Sequence, residues 1–345
     1  MKYALALAGG GTRGAFEVGV YKALRELGIE ISAICGTSIG AVNGALFASG
    51  TDGEEYWKEI TPDDVAQIKG NNLFSPASLL SAMKKLTEGG VDASAFKKSL
   101  SEAIDEKKVR NSGIDYGLCT YRLDTKKREE LFLENIPDGR LCEYIMASAS
   151  FPLFKPTVID AVSYSDGGIA NNLPENMLIE RGYDTLISVS VKGPGFVRAV
   201  DRCGVNIIDI VCKNPEIGVM EFDRESIDLS IKSGYFECMH IFGQVAGDEY
   251  AIERSSCDAA RKAFGPHIIS GLESAAKMCQ IDPYRIYTFD ELLGEVLSNY
   301  QKNIKLRFMC AAIQKDLRGR GILDSLGTIF DAANAIVYLS RYKNL

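Results

Sequence analysis

Histidine is nearly absent from this chain: among 345 residues there are two, His240 and His267. Paired cysteines are missing as well. The nine cysteines stand at 35, 119, 142, 203, 212, 238, 257, 279 and 310, an odd number with no C-x-x-C spacing. A zinc site or a disulfide framework needs pairings that this pattern does not offer. No metal and no cofactor is therefore expected, and reduced thiols in a cytoplasm are the simplest setting. A basic excess is lacking too, since 39 Lys+Arg stand against 46 Asp+Glu, a net charge of −7. Nucleic-acid binders carry a dominant positive field, so no nucleic-acid partner is expected, while contact of one face with a membrane stays open. Repeats and low-complexity tracts are absent. With 46% hydrophobic and 25% charged residues, the composition is that of a globular chain, of one large or two modest domains.

Long hydrophobic runs are lacking apart from two mimics. The start resembles a signal peptide, but its apolar run is six residues long and Arg13 and Glu17 follow at once. Ile31–Thr51 carries no charge over 21 residues, with Gly36, Gly40 and Gly44 at GxxxG spacing. It also holds Ser32, Thr37, Ser38, Asn43, Ser49 and Thr51, so a buried strand followed by a closely packed helix explains it better than a membrane span.

What is present alternates. Residues 3–8 read as a buried strand, 9–14 as a glycine loop, 15–27 as an amphipathic helix ended by Gly28, 29–35 as a second strand and 39–49 as a small-residue helix. This is the pattern of an α/β domain with a mainly parallel sheet. Residues 52–112 read as mostly helical. Residues 114–134 read as two strands around a turn whose Lys126-Lys127-Arg128 is a solvated tip, 157–170 as a hairpin, and 185–191 as a strand. Beyond 195 the texture becomes helical without clear strands, apart from a short one near 285–289. A soft boundary is placed there, dividing a catalytic domain (1–195) from a helical segment (196–345).

Three motifs carry chemistry. Gly36-Thr37-Ser38-Ile39-Gly40 fits GxSxG between a strand and a helix, the context of a nucleophile elbow. Its bland reading is a serine N-cap in a tight turn. Gly9-Gly10-Gly11-Thr12-Arg13-Gly14 fits GxGxxG. It reads as a dinucleotide cradle with Glu30 on the ribose, as an oxyanion hole with Arg13 adding charge, or as a packing turn. Glu30 begins the second strand, whereas ribose binding needs a strand's C-terminal end. Asp166-Gly167-Gly168 ends a strand, and its carboxylate becomes a useful base if partial burial raises its pKa; alone it reads as an Asp-Gly turn. His240 or His267 would be the base of a triad instead, although for each a packing or surface role is the plainer reading.

Together, Gly9–Gly14, Gly36–Gly40 and Asp166–Gly168, with Ala147-Ser148-Ala149-Ser150-Phe151-Pro152 and Asn171-Asn172-Leu173-Pro174, resemble the patatin-like phospholipase family over about residues 3–192. The resemblance implies a three-layer α/β/α fold and a serine acyl hydrolase with a Ser–Asp dyad. In that reading Ser38 attacks the ester, Asp166 takes its proton, and the amides of Gly10 and Gly11 hold the oxyanion with Arg13 nearby. Gly9 and Gly14 frame that loop, Gly36 and Gly40 shape the elbow, and Gly167 and Gly168 follow the base. The implied substrate is a phospholipid or lysophospholipid acyl ester. Small acyl esters or thioesters, a ligand-regulated lipase effector and a nucleotide-binding module are the alternatives. Leu73-Phe74 with Leu79-Leu80, and Phe151 with Leu153-Phe154, are candidate lipid contacts at the inner membrane face that also read as core. A homodimer stays open.

Overall fold

The computed structural model describes residues 2–65, 90–213, 217–314 and 327–343. Leu73, Phe74, Leu79 and Leu80 lie outside the described residues. The chain divides into two compact units, Met1–Cys238 and Met239–Leu345.

The first unit is built on one eight-stranded sheet. Its strands are β1 (Tyr3–Leu7), β2 (Ile31–Thr37), β3 (Asp115–Arg122), β4 (Lys127–Phe132), β5 (Thr157–Ile159), β6 (Val162–Asp166), β7 (Thr185–Ser190) and β8 (Asn206–Val211). β3, β2, β1, β7 and β8 run parallel in that order. β4 and β6 pair antiparallel with β3, and β5 pairs antiparallel with β6. β1 is buried along nearly its whole length, as a central parallel strand covered on both faces must be.

The helices that matter for the site are α1 (Ala15–Glu26), α2 (Ile39–Ala48), α3 (Glu54–Glu59), α4 (Ser94–Ala103), α5 (Leu141–Ser148), α6 (Glu175–Glu180) and α7 (Arg224–Ile241). Successive residues of a strand face opposite sides of a sheet. Tyr116 of β3 donates its hydroxyl to the Ala41 carbonyl of α2 at 2.7 Å, while a side chain at Gly117 would point at Met177 of α6. Helices therefore cover both faces, the expected three-layer arrangement.

The division after Cys238 falls well beyond the expected 195. β8 extends the parallel sheet beside β7, and α7 packs on α1. β8 was illegible because Asn206 and Asp209 interrupt its apolar run; Asp209 pairs with Arg202 at 2.8 Å. The packing of α7 on α1 depends on two glycines. A Cβ at Gly19 would collide with the Ile231 carbonyl, and one at Gly234 with the Phe16 carbonyl.

The second unit is mainly helical, with helices α8 (Arg254–Phe264), α9 (Ile268–Met278), α10 (Phe289–Asn299), α11 (Ile304–Gln314) and α12 (Gly327–Lys343). It also holds three short paired strands, Val245–Ala246, Ala251–Glu253 and Ile286–Tyr287. Its core gathers Ile252, Leu272, Tyr287, Leu292, Val296, Leu306 and Leu339. No described helix is long and apolar enough to cross a membrane.

Because the atoms facing Gly234 are backbone, they cannot swing aside. Gly234→Ala is expected to destabilise the first unit by about 1–3 kcal/mol. Urea unfolding followed by tryptophan fluorescence of the single, buried Trp57 measures it, and an unchanged midpoint would contradict this packing.

Candidate active site

Two strands meet end to end on one edge of β3. Cys119 has Thr37 of β2 on one side and Glu130 of β4 on the other. The next residue, Thr120, has Glu129 of β4 on that second side and Asp166 of β6 in line with β2. β2 and β6 therefore run head to head, and their C-terminal ends occupy neighbouring positions of the same ruler. Ser38 follows one end directly and Asp166 is the other. The Ser38 hydroxyl donates to Asp166 Oδ2 at 2.7 Å.

Each partner is held by more than this bond. Ser38 adopts φ 55° and ψ −123°, a conformation costly for a residue with a side chain and persistent only where its surroundings enforce it. Part of that enforcement is close packing of β2 on α2. A Cβ at Gly36 would collide with the Gly40 carbonyl, and one at Gly40 would press on the Leu7 carbonyl. The Ser38 amide donates to Ser148 Oγ at 2.9 Å, and Ser148 in turn donates to the Cys119 carbonyl at 2.6 Å. Ser38 also begins α2, where unpaired amides and the helix dipole favour negative charge. Asp166 is 6% exposed. Its amide donates to the Ser150 carbonyl at 2.8 Å, and its Oδ1 accepts the Gly168 amide at 2.8 Å. Burial pushes the Asp166 carboxyl up to about 6, against the lowering effect of the Ser38 and Gly168 hydrogen bonds.

The glycine loop passes directly beside the hydroxyl. A Cβ at Gly9 would lie 3.1 Å from the Ser38 Cβ. Asn172 clamps the loop by donating Nδ2 to the Gly9 carbonyl at 2.9 Å, while its own carbonyl accepts the Gly9 amide at 2.9 Å. Among the described residues, no acceptor is bonded to the Gly10 or Gly11 amide. Gly14 stacks on Ile39 at the start of α2, and its carbonyl accepts Asn43 Nδ2 at 2.9 Å. Gly167 packs on the Cys119 carbonyl. Arg13 departs from expectation. Its guanidinium donates to the carbonyls of Ile217 at 3.1 Å and Lys192 at 2.7 Å, and it does not line the cavity. Those two carbonyls capture the charge, so Arg13 braces neighbouring loops instead of facing the serine.

Ser38, Asp166, Gly10 and Gly11 open into a cavity of about 250 Å³. Its walls are apolar: Trp57, Ile60, Phe96, Phe151, Phe154, Met220 and Phe222 line it. Both histidines belong to the second unit, whereas every lining residue belongs to the first. Among the described residues no cluster could hold a metal ion.

Several supporting residues escaped the sequence reading of roles. Asn43 of α2 donates to Glu17 Oε2 at 2.8 Å and accepts the Trp57 indole at 2.9 Å. It thereby joins α1, α2 and a cavity wall. Burial holds the Glu17 carboxyl well above the usual carboxylate range. Ser148 and Asn172 lie inside segments that carried the family resemblance, which was the available signal for them. Nothing local marks Asn43 or Glu17.

Residues 5–179 match the family described as Patatin-like phospholipase. Mouse (Mus musculus) patatin-like phospholipase domain-containing protein 6 is 29% identical over 194 residues, which cover 54% of this chain and 13% of that protein. Lysophospholipase nte1 of Aspergillus oryzae is 29% identical over 188 residues, covering 54% of this chain and 12% of that protein. The chain thus spans 12–13% of the length of these curated relatives. The crystal structure of VipD from Legionella pneumophila aligns over 98% of this chain and 90% of that chain, with a TM-score of 0.39 and 14% identity. The family match covers just over half of the chain and contains the glycine loop, Ser38 and Asp166: this chain belongs to the patatin-like phospholipase family, a family of lipid acyl hydrolases.

Proposed function

We propose that the protein cleaves acyl esters of phospholipids or lysophospholipids through a Ser38–Asp166 dyad. The observation that carries this reading is the 2.7 Å bond from the serine hydroxyl to a buried carboxylate in the lining of an apolar cavity. Ser38 Oγ attacks the ester carbonyl while Asp166 Oδ2 takes its proton. The tetrahedral oxyanion is held by the Gly10 and Gly11 amides, each worth about 3 kcal/mol to the transition state. Asp166 then protonates the departing alcohol, leaving an acyl-serine. Water replaces that alcohol, gives its proton to Asp166 and releases the fatty acid. The proton returns to Ser38.

Elevation of the Asp166 carboxyl to about 6 brings the base near neutrality, where proton transfer in both directions is efficient. The aromatic and aliphatic walls suit an acyl chain, and the lysophospholipase named among the relatives is consistent with a single-chain substrate. The same apolar walls argue against a phosphate cradle at the glycine loop. The nine free cysteines suit a reducing cytoplasm, and contact with its inner membrane face is part of the reading.

A fluorophosphonate probe is expected to label Ser38, with mass spectrometry locating the adduct. Ser38→Ala and Asp166→Asn are each expected to lower kcat on a lysophospholipid by at least about 10³-fold. Full activity in either variant would refute the dyad. Replacing both histidines by glutamine is expected to leave kcat/KM essentially unaltered.

The ionised base is the active form, so kcat/KM is expected to rise about tenfold per pH unit below 6 and to level off above it. A profile flat from pH 5 to 8 would exclude Asp166 as the base. Stability runs the other way. The folded carboxyl titrates near 6 and the unfolded one near 3.8, so the native state holds the extra proton between those values and loses relative stability as pH rises through them. Asp166→Asn is therefore expected to stabilise the fold at pH 8 by up to about 3 kcal/mol, with the advantage vanishing below pH 4. Denaturation midpoints at the two pH values check this sign.

A further inference from the structure

We propose that the mouth of the Ser38 cavity is a docking surface for an anionic phospholipid layer, formed by Ile169, Phe196 and Val197, with Lys155 following the lining residue Phe154. The proposal rests on the lipid-hydrolase reading and adds where the lipid surface meets the protein.

Three large apolar residues near this mouth stand in solvent: Phe196 is 61% exposed, Val197 53% and Ile169 44%. Apolar side chains scattered singly on a surface are ordinary, but these are grouped and held. The Phe196 amide donates to the Gly168 carbonyl at 2.8 Å, and the Asn172 amide donates to the Phe196 carbonyl at 2.6 Å. Two backbone bonds thus fix the Phe196 turn against the segment that carries Ile169 and follows Asp166. The exposed surface also continues inward. Ile169, Pro152, Pro194 and Gly195 line the cavity, and all four are exposed. An acyl chain leaving a lipid layer at this rim reaches Ser38 along apolar surface.

Charge selects the kind of layer. The exposed lining residues Pro152, Ile169, Pro194 and Gly195 come from residues 149–156, 167–174 and 191–198, whose charged residues are Lys155, Lys192 and Arg198, with no carboxylate among them. The chain as a whole carries −7. Arg198 is taken up by Glu180 at 3.0 Å. Glu175, just beyond the second segment, is buried and paired with Arg202. The Lys192 ammonium donates to the Lys213 carbonyl at 2.9 Å, so the exposed Lys155 remains to face a negative surface, and screened attraction at such a surface favours anionic headgroups over zwitterionic ones.

The test separates docking from catalysis. Full-length Ser38→Ala protein is sedimented with vesicles of phosphatidylcholine alone and of phosphatidylcholine with phosphatidylglycerol. Binding to the anionic vesicles is expected, weakened at least tenfold by adding Phe196→Ser and Val197→Ser. Lys155→Gln is expected to weaken binding to anionic vesicles and leave the weaker binding to neutral ones unaltered. With Ser38 intact, the Phe196→Ser/Val197→Ser protein is expected to hydrolyse a dissolved short-chain p-nitrophenyl ester at the parent rate and to react with fluorophosphonate at the parent rate. These two readouts also show that it is folded. Its rate on anionic vesicles is expected to fall at least tenfold. Equal vesicle affinity with and without the two serines, equal affinity for both lipid compositions, or no vesicle binding by the parent overturns the docking surface. Loss of dissolved-ester hydrolysis in the parent, with vesicle binding retained, overturns the hydrolase reading instead.

Discussion

The site depends on one geometric constraint: two strands of opposite direction share a single edge of β3. β2 arrives from one end and β6 from the other, and neither can extend without displacing the other. Their ends therefore stop at adjacent residues of β3, Cys119 and Thr120. A sheet fixes such positions to fractions of an ångström because its hydrogen bonds set spacing and register together. The serine and the carboxylate, 128 positions apart in the chain, inherit that accuracy from a strand that belongs to neither. Cys119 takes part a second time, since its carbonyl orients Ser148, which in turn receives the Ser38 amide.

The rest of the local structure holds what would otherwise relax. Ser38 has a left-handed φ, and Asp166 is a largely buried carboxylate; each is unfavourable alone. Close packing of β2 on α2 enforces the first. The second is offset by donors at both carboxylate oxygens, Ser38 on one and Gly168 on the other. Burial still dominates, raising the carboxyl toward neutral pH and leaving a fold that is less stable when it is ionised. Behind the glycine loop, Asn43 binds Gly14, Glu17 and Trp57. The loop, the nucleophile helix and a cavity wall are thereby registered against one buried amide.

Much of this was legible in the sequence where pattern is local. β1, α1, β2 and α2 follow from the alternation of apolar strands, glycine turns and helical spacing within the first fifty residues, and the observed limits differ from the expected ones by one or two positions. The hairpins around 114–134 and 157–170 were readable from their turn residues. β8 was not, because a sheet-edge strand with Asn206 and Asp209 lacks the continuous apolar run of a buried one. Ser38 and Asp166 were readable because each sits in a motif. Arg13 was readable only as a nearby charge. Its direction depends on carbonyls at 192 and 217, whose approach is tertiary. Asn43 was hidden for the same reason: an asparagine in a small-residue helix looks like spacing until Trp57 and Glu17 are packed around it.

Distance along the chain has a further consequence. The proposed dyad joins residues 38 and 166, the loop clamp joins 9 and 172, and the cavity wall adds residues 57, 96 and 219. None of these contacts is local, so the first βαβα segment alone holds the proposed nucleophile without its proposed base, the glycine loop without its clamp and a cavity without most of its wall. The proposed site is complete only where β6 occupies the free edge of β3 and the Asn171–Asn172 turn is seated on Gly9. The raised pKa of Asp166 comes from its burial, a property of the finished sheet that no shorter segment of the chain supplies.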